Sequence, residues 1–82
     1  MKFYILCSSV TYALKSKREL LSRGIGVYLK KPPRQFSDCG CGYVVEVDER
    51  DIDDALDILR ETNINVKSVY RLDDDGMYRR VK

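Results

Sequence analysis

The sequence predicts an α+β fold of the ferredoxin-like, split β-α-β type, in which two helices cover one face of an antiparallel sheet. Short runs of aromatic and branched apolar residues alternate with two stretches of helical periodicity, in the order β-α-β-β-α-β. The chain has 82 residues, of which 44% are apolar and 34% charged, which suits one small folded domain. We expect that domain to span residues 1–82, with residues 73–82 forming a hairpin extension or a tail.

The first strand and the first helix occupy the start of the chain. "FYILCS", residues 3–8, is a short apolar run closed by serine, which is typical of a buried strand. Ser9 or Thr11 can cap a following helix, and Gly24 can end it, because glycine adopts the left-handed conformation of a helix C-cap. The apolar residues at roughly helical spacing, expected on one face, are Val10, Ala13, Leu14, Leu20 and Leu21.

The second strand leads into the most unusual segment of the chain. "IGVYLKK", residues 25–31, alternates so that Val27 and Leu29 face one way while Tyr28 and Lys30 face the other. Prolines end this strand, and residues 32–42, "PPRQFSDCGCG", combine them with two glycines and two cysteines. We expect this segment to be a loop.

The second half of the chain repeats the pattern of the first. "YVVEVD", residues 43–48, predicts a third strand, and Asp48 with Asp51 resembles a capping box for the second helix. Residues 64–72 predict the fourth strand, and "DDDG", residues 73–76, predicts a solvated turn that returns "MYRRV" as a short fifth strand. The apolar residues expected on the inner face of the second helix are Ile52, Ala55, Leu56 and Leu59.

Charge and hydropathy limit where the protein acts and what it binds. Residues 1–41 carry eight basic and two acidic residues, whereas the remainder carries seven basic and eleven acidic residues. Such asymmetry indicates either a basic face for an acidic partner or anion, or simply a solvated charged helix. The N-terminal apolar run stops before Lys15, which is too short for a signal peptide or a membrane span, so we expect a cytoplasmic protein without a membrane partner.

A structural zinc site is not expected, because the chain has three cysteines and no histidine and these side chains cannot supply four ligands. Cys7, inside an apolar strand, is expected to be a buried core residue. Cys39 and Cys41, separated by one glycine, could be a functional thiol pair, a strained redox-active disulfide, a Cu(I) site or incidental core filling. The residues alone leave these alternatives open.

Several segments resemble a family of small bacterial and archaeal proteins called putative selenium/sulfur carrier-like proteins. "FYILCSSVTYALKSKRELLSRGI" resembles the opening strand and helix of that family, and "DERDIDDALDILRETNINVKSVY" its closing helix and strand. The most specific likeness is Pro33-Arg34, then Ser37, then a Cys-Gly pair that opens the third strand. This chain has two Cys-Gly pairs where the family pattern has one, and counting back from "DIDDAL" assigns the family cysteine to Cys41.

The resemblance implies a carrier that holds a persulfide or perselenide on Cys41, with Cys39 as an auxiliary or resolving thiol. A carrier thiolate must be reachable, which Gly40 and Gly42 favour because they lack side chains, and Arg34 would favour the charged form. Ser37 either donates a hydrogen bond to sulfur or shapes the turn. The implied partners are a cysteine desulfurase or selenium-donating enzyme and an acceptor protein, with no tightly held cofactor and no metal.

Two other classes remain as alternatives to a carrier. One is a regulatory or interaction module, in which a sheet edge pairs with a second copy to form a homodimer. The other is a nucleic-acid-binding module, for which Tyr28 and Lys30 face outward; the glycine-rich aromatic signature of such proteins is absent from the third strand, so nucleic acid is the weaker expectation. The sequence contains no catalytic triad and no phosphate-binding loop, so no motif in it indicates a stand-alone enzyme.

Overall fold

The computed structural model describes residues 1–32 and 43–81. They form two helices and a five-stranded antiparallel sheet with strand order β2-β3-β1-β4-β5, which confirms the ferredoxin-like arrangement with an extra C-terminal strand. Neither described helix is long and apolar enough to cross a membrane. The elements in chain order are β1 (Lys2–Cys7), α1 (Val10–Ser22), β2 (Val27–Lys30), β3 (Val44–Asp48), α2 (Ile52–Glu61), β4 (Val66–Leu72) and β5 (Tyr78–Arg80).

The central strand β1 fixes the register of the sheet. Leu6 lies opposite Val44 on β3 and opposite Ser68 on β4, and all neighbouring strands run antiparallel. Because side chains alternate along a strand, one face of the sheet packs on the helices and the other does not. The helix-facing core is apolar, and it contains Ile5, Cys7, Ala13, Leu20, Ile25, Val27, Val45, Val47, Ile52, Ala55, Ile58, Leu59, Ile64 and Val69.

Cys7 is a core residue, as the sequence predicts. It lies at the end of β1 with 1% of its surface exposed, and its Sγ is 3.5 Å from the Oγ of Ser16. Ser16 is itself fully buried and donates a 2.7 Å hydrogen bond to the carbonyl of Tyr12. The two small polar side chains therefore pack together beneath α1 with the Ser16 hydroxyl satisfied.

Helix α1 buries only part of the apolar face expected from the sequence. Ser9 caps it as predicted, its Oγ accepting from the Tyr12 N–H at 3.2 Å. Ala13 and Leu20 are buried as predicted, together with Ser16, but the other apolar residues expected on this face are exposed, so the prediction of one shared face is wrong for them. The exposed ones are Val10, Leu14 and Leu21, at 37%, 52% and 48% exposure. Small residues let the helix approach the sheet closely, so the buried stripe is not the most hydrophobic one.

Helix α2 starts three residues later than the proposed capping box implied. A 3₁₀ turn, Glu49–Asp51, intervenes, and the side chain of Asp48 makes no capping hydrogen bond. Its carboxylate instead lies 3.8 Å from the Nζ of Lys2 and 3.1 Å from the Nε of Arg50. The buried residues of α2 include Ile52, Ala55 and Leu59 as predicted, joined by Ile58, while Leu56 is half-buried.

Both helices end in the same hydrogen-bonded motif built around a residue with positive φ. After α1, Gly24 has φ +82° and the Ile25 N–H donates to Leu20 at 3.0 Å. After α2, Asn63 has φ +60° and the Ile64 N–H donates to Leu59 at 2.9 Å. These are Schellman endings, which satisfy the last carbonyls of a helix. The prediction that Gly24 ends α1 is confirmed.

The turn between β4 and β5 is held by charge as well as by backbone geometry. Asp73 accepts a 2.6 Å hydrogen bond from the Nε of Arg71 and another from Arg79 across the hairpin. The hydrogen bond from Arg71, followed by that from Arg79, holds the pKa of Asp73 below its usual range. Only 16% of the Asp73 side chain is exposed, so the expectation of a merely solvated acidic turn is wrong for this residue.

Candidate functional site

All six residues of the predicted site lie outside the part of the chain that the structure describes. They belong to residues 33–42 and comprise Arg34, Ser37, Cys39, Gly40, Cys41 and Gly42. Their roles therefore stay predictions. What the structure does describe is the frame from which this segment starts and to which it returns, together with the charges and side chains on that frame.

The frame is a short antiparallel ladder. Lys30, the last residue of β2, pairs with Val44, the first residue of β3, so residues 31–43 connect two chain ends that are direct cross-strand neighbours. Paired residues in such a ladder have Cα atoms roughly 5 Å apart. Residues 31–43, which include both cysteines and are called the cysteine segment below, follow the edge strand β2 and precede the internal strand β3.

The face of the sheet that carries no helix holds an ion pair beside this frame, in which the carboxylate is buried and the ammonium group belongs to a half-exposed lysine. The Nζ of Lys30 lies 2.6 Å from the Oε2 of Glu46, whose side chain is only 8% exposed. The hydrogen bond to Glu46, together with the charge of that carboxylate, raises the pKa of Lys30. Glu46 is therefore a buried charged residue on the helix-free face of the sheet.

This ion pair changes the expected electrostatics of the cysteine segment. Lys30 and Lys31 are consecutive cations at the point where this segment begins. The charge of Lys30 is balanced by Glu46, whereas Lys31 is exposed and forms no ion pair with residues 1–32 or 43–81. Lys31 is therefore the cation of the described frame that is available to a nearby anion.

Aromatic side chains surround the ion pair. Tyr4 pairs in register with Glu46 on one side and with Tyr70 on the other, and the two tyrosines are 6% and 7% exposed. The ring of Tyr4 meets that of Tyr78 edge to face, with centroids 5.4 Å apart. Burial, followed by the charge of Glu46, raises the pKa of Tyr4. Sequence reasoning missed this cluster, although Tyr28, Lys30 and Glu46 occupy alternating positions that predict a shared face.

The third cysteine is unsuited to exchange with the other two. Cys7 ends β1 at the same end of the strands as Val44, since its neighbour Leu6 pairs with that residue. Its side chain nevertheless points into the helix-covered core and is 99% buried. A buried thiol is inert toward external partners. Among residues 1–32 and 43–81, no three cysteine, aspartate or glutamate side chains cluster in a way that could hold a metal ion.

Comparison with known proteins identifies a family. Residues 2–71 match the model of a family described as "Putative Se/S carrier protein-like". The match runs from β1 to the penultimate residue of β4 and includes the whole cysteine segment, while β5 lies beyond it. No curated protein matches the chain, and no solved structure matches it.

Proposed function

The chain belongs to the Putative Se/S carrier protein-like family, and from that premise we propose that it carries sulfur or selenium on Cys41 between a donor and an acceptor protein. The observation that carries this proposal is the family match, which covers both Cys-Gly pairs. Both pairs lie in the segment that connects the paired ends of β2 and β3. The alternative is an interaction or regulatory module of the same fold that carries nothing.

The transfer step needs no oxidant and no metal. The thiolate of Cys41 attacks the outer sulfur of a persulfide on the donor's cysteine. A new S–S bond forms on Cys41 as the donor's S–S bond breaks, and the electron pair of the broken bond leaves with the donor thiolate. The number of sulfane sulfurs and of protons is unchanged overall. Delivery to the acceptor repeats the same exchange in the opposite sense, and a selenium atom would follow the same path.

The surrounding residues have roles that follow from this chemistry. A thiolate beside fixed positive charge is favoured over the thiol, which is the role proposed for Arg34, with Lys31 as a second cation on the frame. Gly40 and Gly42 leave room for the active site of a partner to reach the sulfur. Cys39 serves as an auxiliary thiol that can accept or release the cargo next to Cys41, and Ser37 shapes the turn or donates to sulfur.

The remaining parts of the proposal concern location and partners. Thiols are kept reduced in the cytoplasm, which suits a carrier that must begin as a free thiol and whose donor is a cysteine desulfurase or a selenium-donating enzyme. The protein itself uses no resident cofactor in this scheme. A homodimer is compatible with the scheme but is not required, because the transfer involves one thiol of the carrier at a time.

The test is intact-mass analysis of the reduced protein after incubation with a cysteine desulfurase and cysteine. We expect the wild type to gain a sulfur-sized adduct that tris(carboxyethyl)phosphine removes. Cys41→Ser should lose the adduct, and Cys39→Ser should retain it. Cys7→Ala is the matched control, because its thiol is buried and its loss should leave uptake unchanged.

The outcomes separate the alternatives. Uptake lost only in Cys39→Ser would move the cargo site to that residue and would contradict the assignment of Cys41. No uptake by the wild type, either from the desulfurase or from inorganic polysulfide, would reject the carrier function and would favour an interaction module. A stable Cys39–Cys41 disulfide formed without sulfur uptake would indicate a redox switch instead.

A further inference from the structure

Helix α1 presents an apolar stripe to solvent along most of its length. Val10, Leu14 and Leu21 are 37%, 52% and 48% exposed, and their spacing of four and seven residues aligns them along one side of the helix. Lys17 completes the spacing, three residues after Leu14 and four before Leu21. This is the repeat by which one helix packs against another. Single exposed apolar residues are common on protein surfaces, but here three lie along one side of the same helix.

Cations flank that stripe, and none of them is neutralised. Lys15, Lys17 and Arg18 form no ion pair with any residue among 1–32 and 43–81. Most of the other basic residues do have acidic partners: Lys2 and Arg50 with Asp48, Arg23 with Glu61, Lys30 with Glu46, Arg60 with Asp57, and Arg71 and Arg79 with Asp73. Three of the cations that have no acidic partner among the described residues therefore lie together around this stripe of α1.

We propose that this surface, defined by Val10, Leu14, Lys15, Lys17, Arg18 and Leu21 and named the α1 stripe, docks an acidic protein surface with an apolar ridge on the sulfur-donating enzyme. The partner's carboxylates would pair with the three cations, and its ridge would cover Leu14 and Leu21. This inference rests on the proposed carrier function, because it supplies the contact through which a donor would approach.

Other occupants fit the α1 stripe less well. A second copy placed symmetrically would bring Lys15, Lys17 and Arg18 close to the same three residues of its partner, and like charges in an interface are repulsive. The exposed side of α2 is acidic, yet it offers no apolar ridge: its exposed residues are Asp53, Asp54, Asp57, Arg60 and Glu61. An anionic lipid surface would match the charge, but the α1 stripe has no aromatic residue for the membrane interface.

The position of the α1 stripe agrees with a docking role for a carrier. Val10 follows three residues after Cys7, at the end of β1 where Leu6 pairs with Val44. The cysteine segment begins and ends at this same end of the strands. α1 packs on β1, β2 and β3, so it covers the same strands that hold the frame of the cysteine segment. A partner bound to the first turns of α1 is thus adjacent to the strand ends between which the cysteine segment runs.

The experiment measures the dissociation constant between the full-length carrier and a cysteine desulfurase loaded with pyridoxal phosphate, by titration calorimetry. Lys15→Glu/Arg18→Glu reverses two cations of the α1 stripe. Arg50→Glu/Arg60→Glu makes the same net charge change at two well-exposed residues elsewhere and is the matched control. We expect the first pair to weaken binding by about tenfold or more and the control pair to change it by less than about twofold. Leu14→Ser should also weaken it.

Uptake of sulfur from inorganic polysulfide, measured on the same variants by intact mass, separates this inference from the carrier function. A variant that takes up polysulfide sulfur normally but no longer binds the desulfurase supports the α1 stripe. Equal binding by all variants, equal loss in both charge pairs, or no binding by the wild type overturns it, whatever the polysulfide result. Adsorption of the wild type to vesicles containing phosphatidylglycerol that Lys15→Glu/Arg18→Glu abolishes would overturn it in favour of a lipid surface.

Discussion

Helices α1 and α2 lie on the same face of the same sheet but are built in opposite ways. α2 buries large side chains, among them Ile58 and Leu59, and leaves charges outside. α1 buries Ala13, Ser16 and Leu20, and leaves Leu14 and Leu21 about half exposed. Apolar area removed from water is the main favourable term in folding. The comparison indicates that α2 mainly stabilises the domain, whereas α1 retains apolar surface that can serve binding.

Their charges differ in the same sense. α2 has Asp53 and Asp54 in its first turn and Arg60 in its last, which is the arrangement favoured by the helix dipole. α1 has neither acidic residues in its first turn nor basic residues in its last. Its cations stand in the middle of the helix, where they contribute little to helix stability. Their placement gives no helix-dipole stabilisation and is compatible with the docking proposed for the α1 stripe.

The largest expected effect compares leucines on the two helices. Leu59→Ala should lower the free energy of unfolding by about 3 kcal/mol, because it leaves a cavity in the core. Leu14→Ala should change it by less than about 0.5 kcal/mol, because the side chain is 52% exposed. Urea denaturation of the two variants beside the wild type measures both values. Similar losses for the two leucines would contradict the division of labour between the helices.

The ends of the helices provide the next test. At φ +82° an added Cβ at Gly24 meets no atom within 4 Å, so Gly24→Ala is strained only through its backbone and should cost about 1–2 kcal/mol. Asn63 adopts φ +60° with a side chain, so Asn63→Gly should instead gain up to about 1 kcal/mol. Thermal unfolding should shift in opposite directions for the two variants. A loss in Asn63→Gly would show that its side chain stabilises the end of α2.

Truncating the N-cap side chain should reduce stability more at the start of α1 than at the start of α2. Ser9 accepts from the Tyr12 N–H, and Ser9→Ala should cost about 1 kcal/mol. Asp51 makes no side-chain capping bond, so Asp51→Ala should cost less than about 0.5 kcal/mol at physiological ionic strength. Urea midpoints of the two variants check the difference. Equal losses would mean that the 3₁₀ turn before α2 depends on Asp51 in another way.

The smallest effect concerns the ion pair that links the helices. The Nη1 of Arg23 lies 3.3 Å from the Oε2 of Glu61, and both side chains are about half exposed or more. Arg23→Gln should reduce stability by less than about 0.5 kcal/mol, and the difference should disappear at high salt because exposed charges are screened. Melting temperatures at two ionic strengths test this. A loss that persists at high salt would point to packing by the Arg23 stem instead.

Sequence patterns predicted the strands and both ends of α1 well, because local chemistry decides them, whereas the start of α2 was predicted three residues too early. The alternation in β2, the Ser9 cap, the Gly24 ending and the burial of Cys7 all follow from side-chain properties that act within a few residues. The expected apolar face of α1 was wrong, because hydrophobicity alone cannot tell which of two apolar stripes faces the sheet. Ser16 is accommodated in the core by a hydrogen bond to its own helix, which spacing does not reveal.

The frame of the candidate site was harder to predict than the fold, because it depends on contacts between strands. The ion pair between Lys30 and Glu46 requires the register of β2 and β3, which are separated by the thirteen residues 31–43. The same register explains why Glu46 is buried although it lies on the helix-free face. The six site residues themselves were selected by resemblance, and the chemistry of thiols near positive charge gives that selection a physical basis.

The pairing of Lys30 with Val44 has a consequence for how this family can vary. The ladder closes the ends of the thirteen-residue stretch 31–43 regardless of what lies between them. The entropy of closing such a stretch grows only with the logarithm of its length, so two added residues cost about 0.1 kcal/mol. A second Cys-Gly pair can therefore be gained or lost by insertion at almost no expense in stability. Thiol number and spacing can evolve in this scaffold while the sheet and both helices stay as they are.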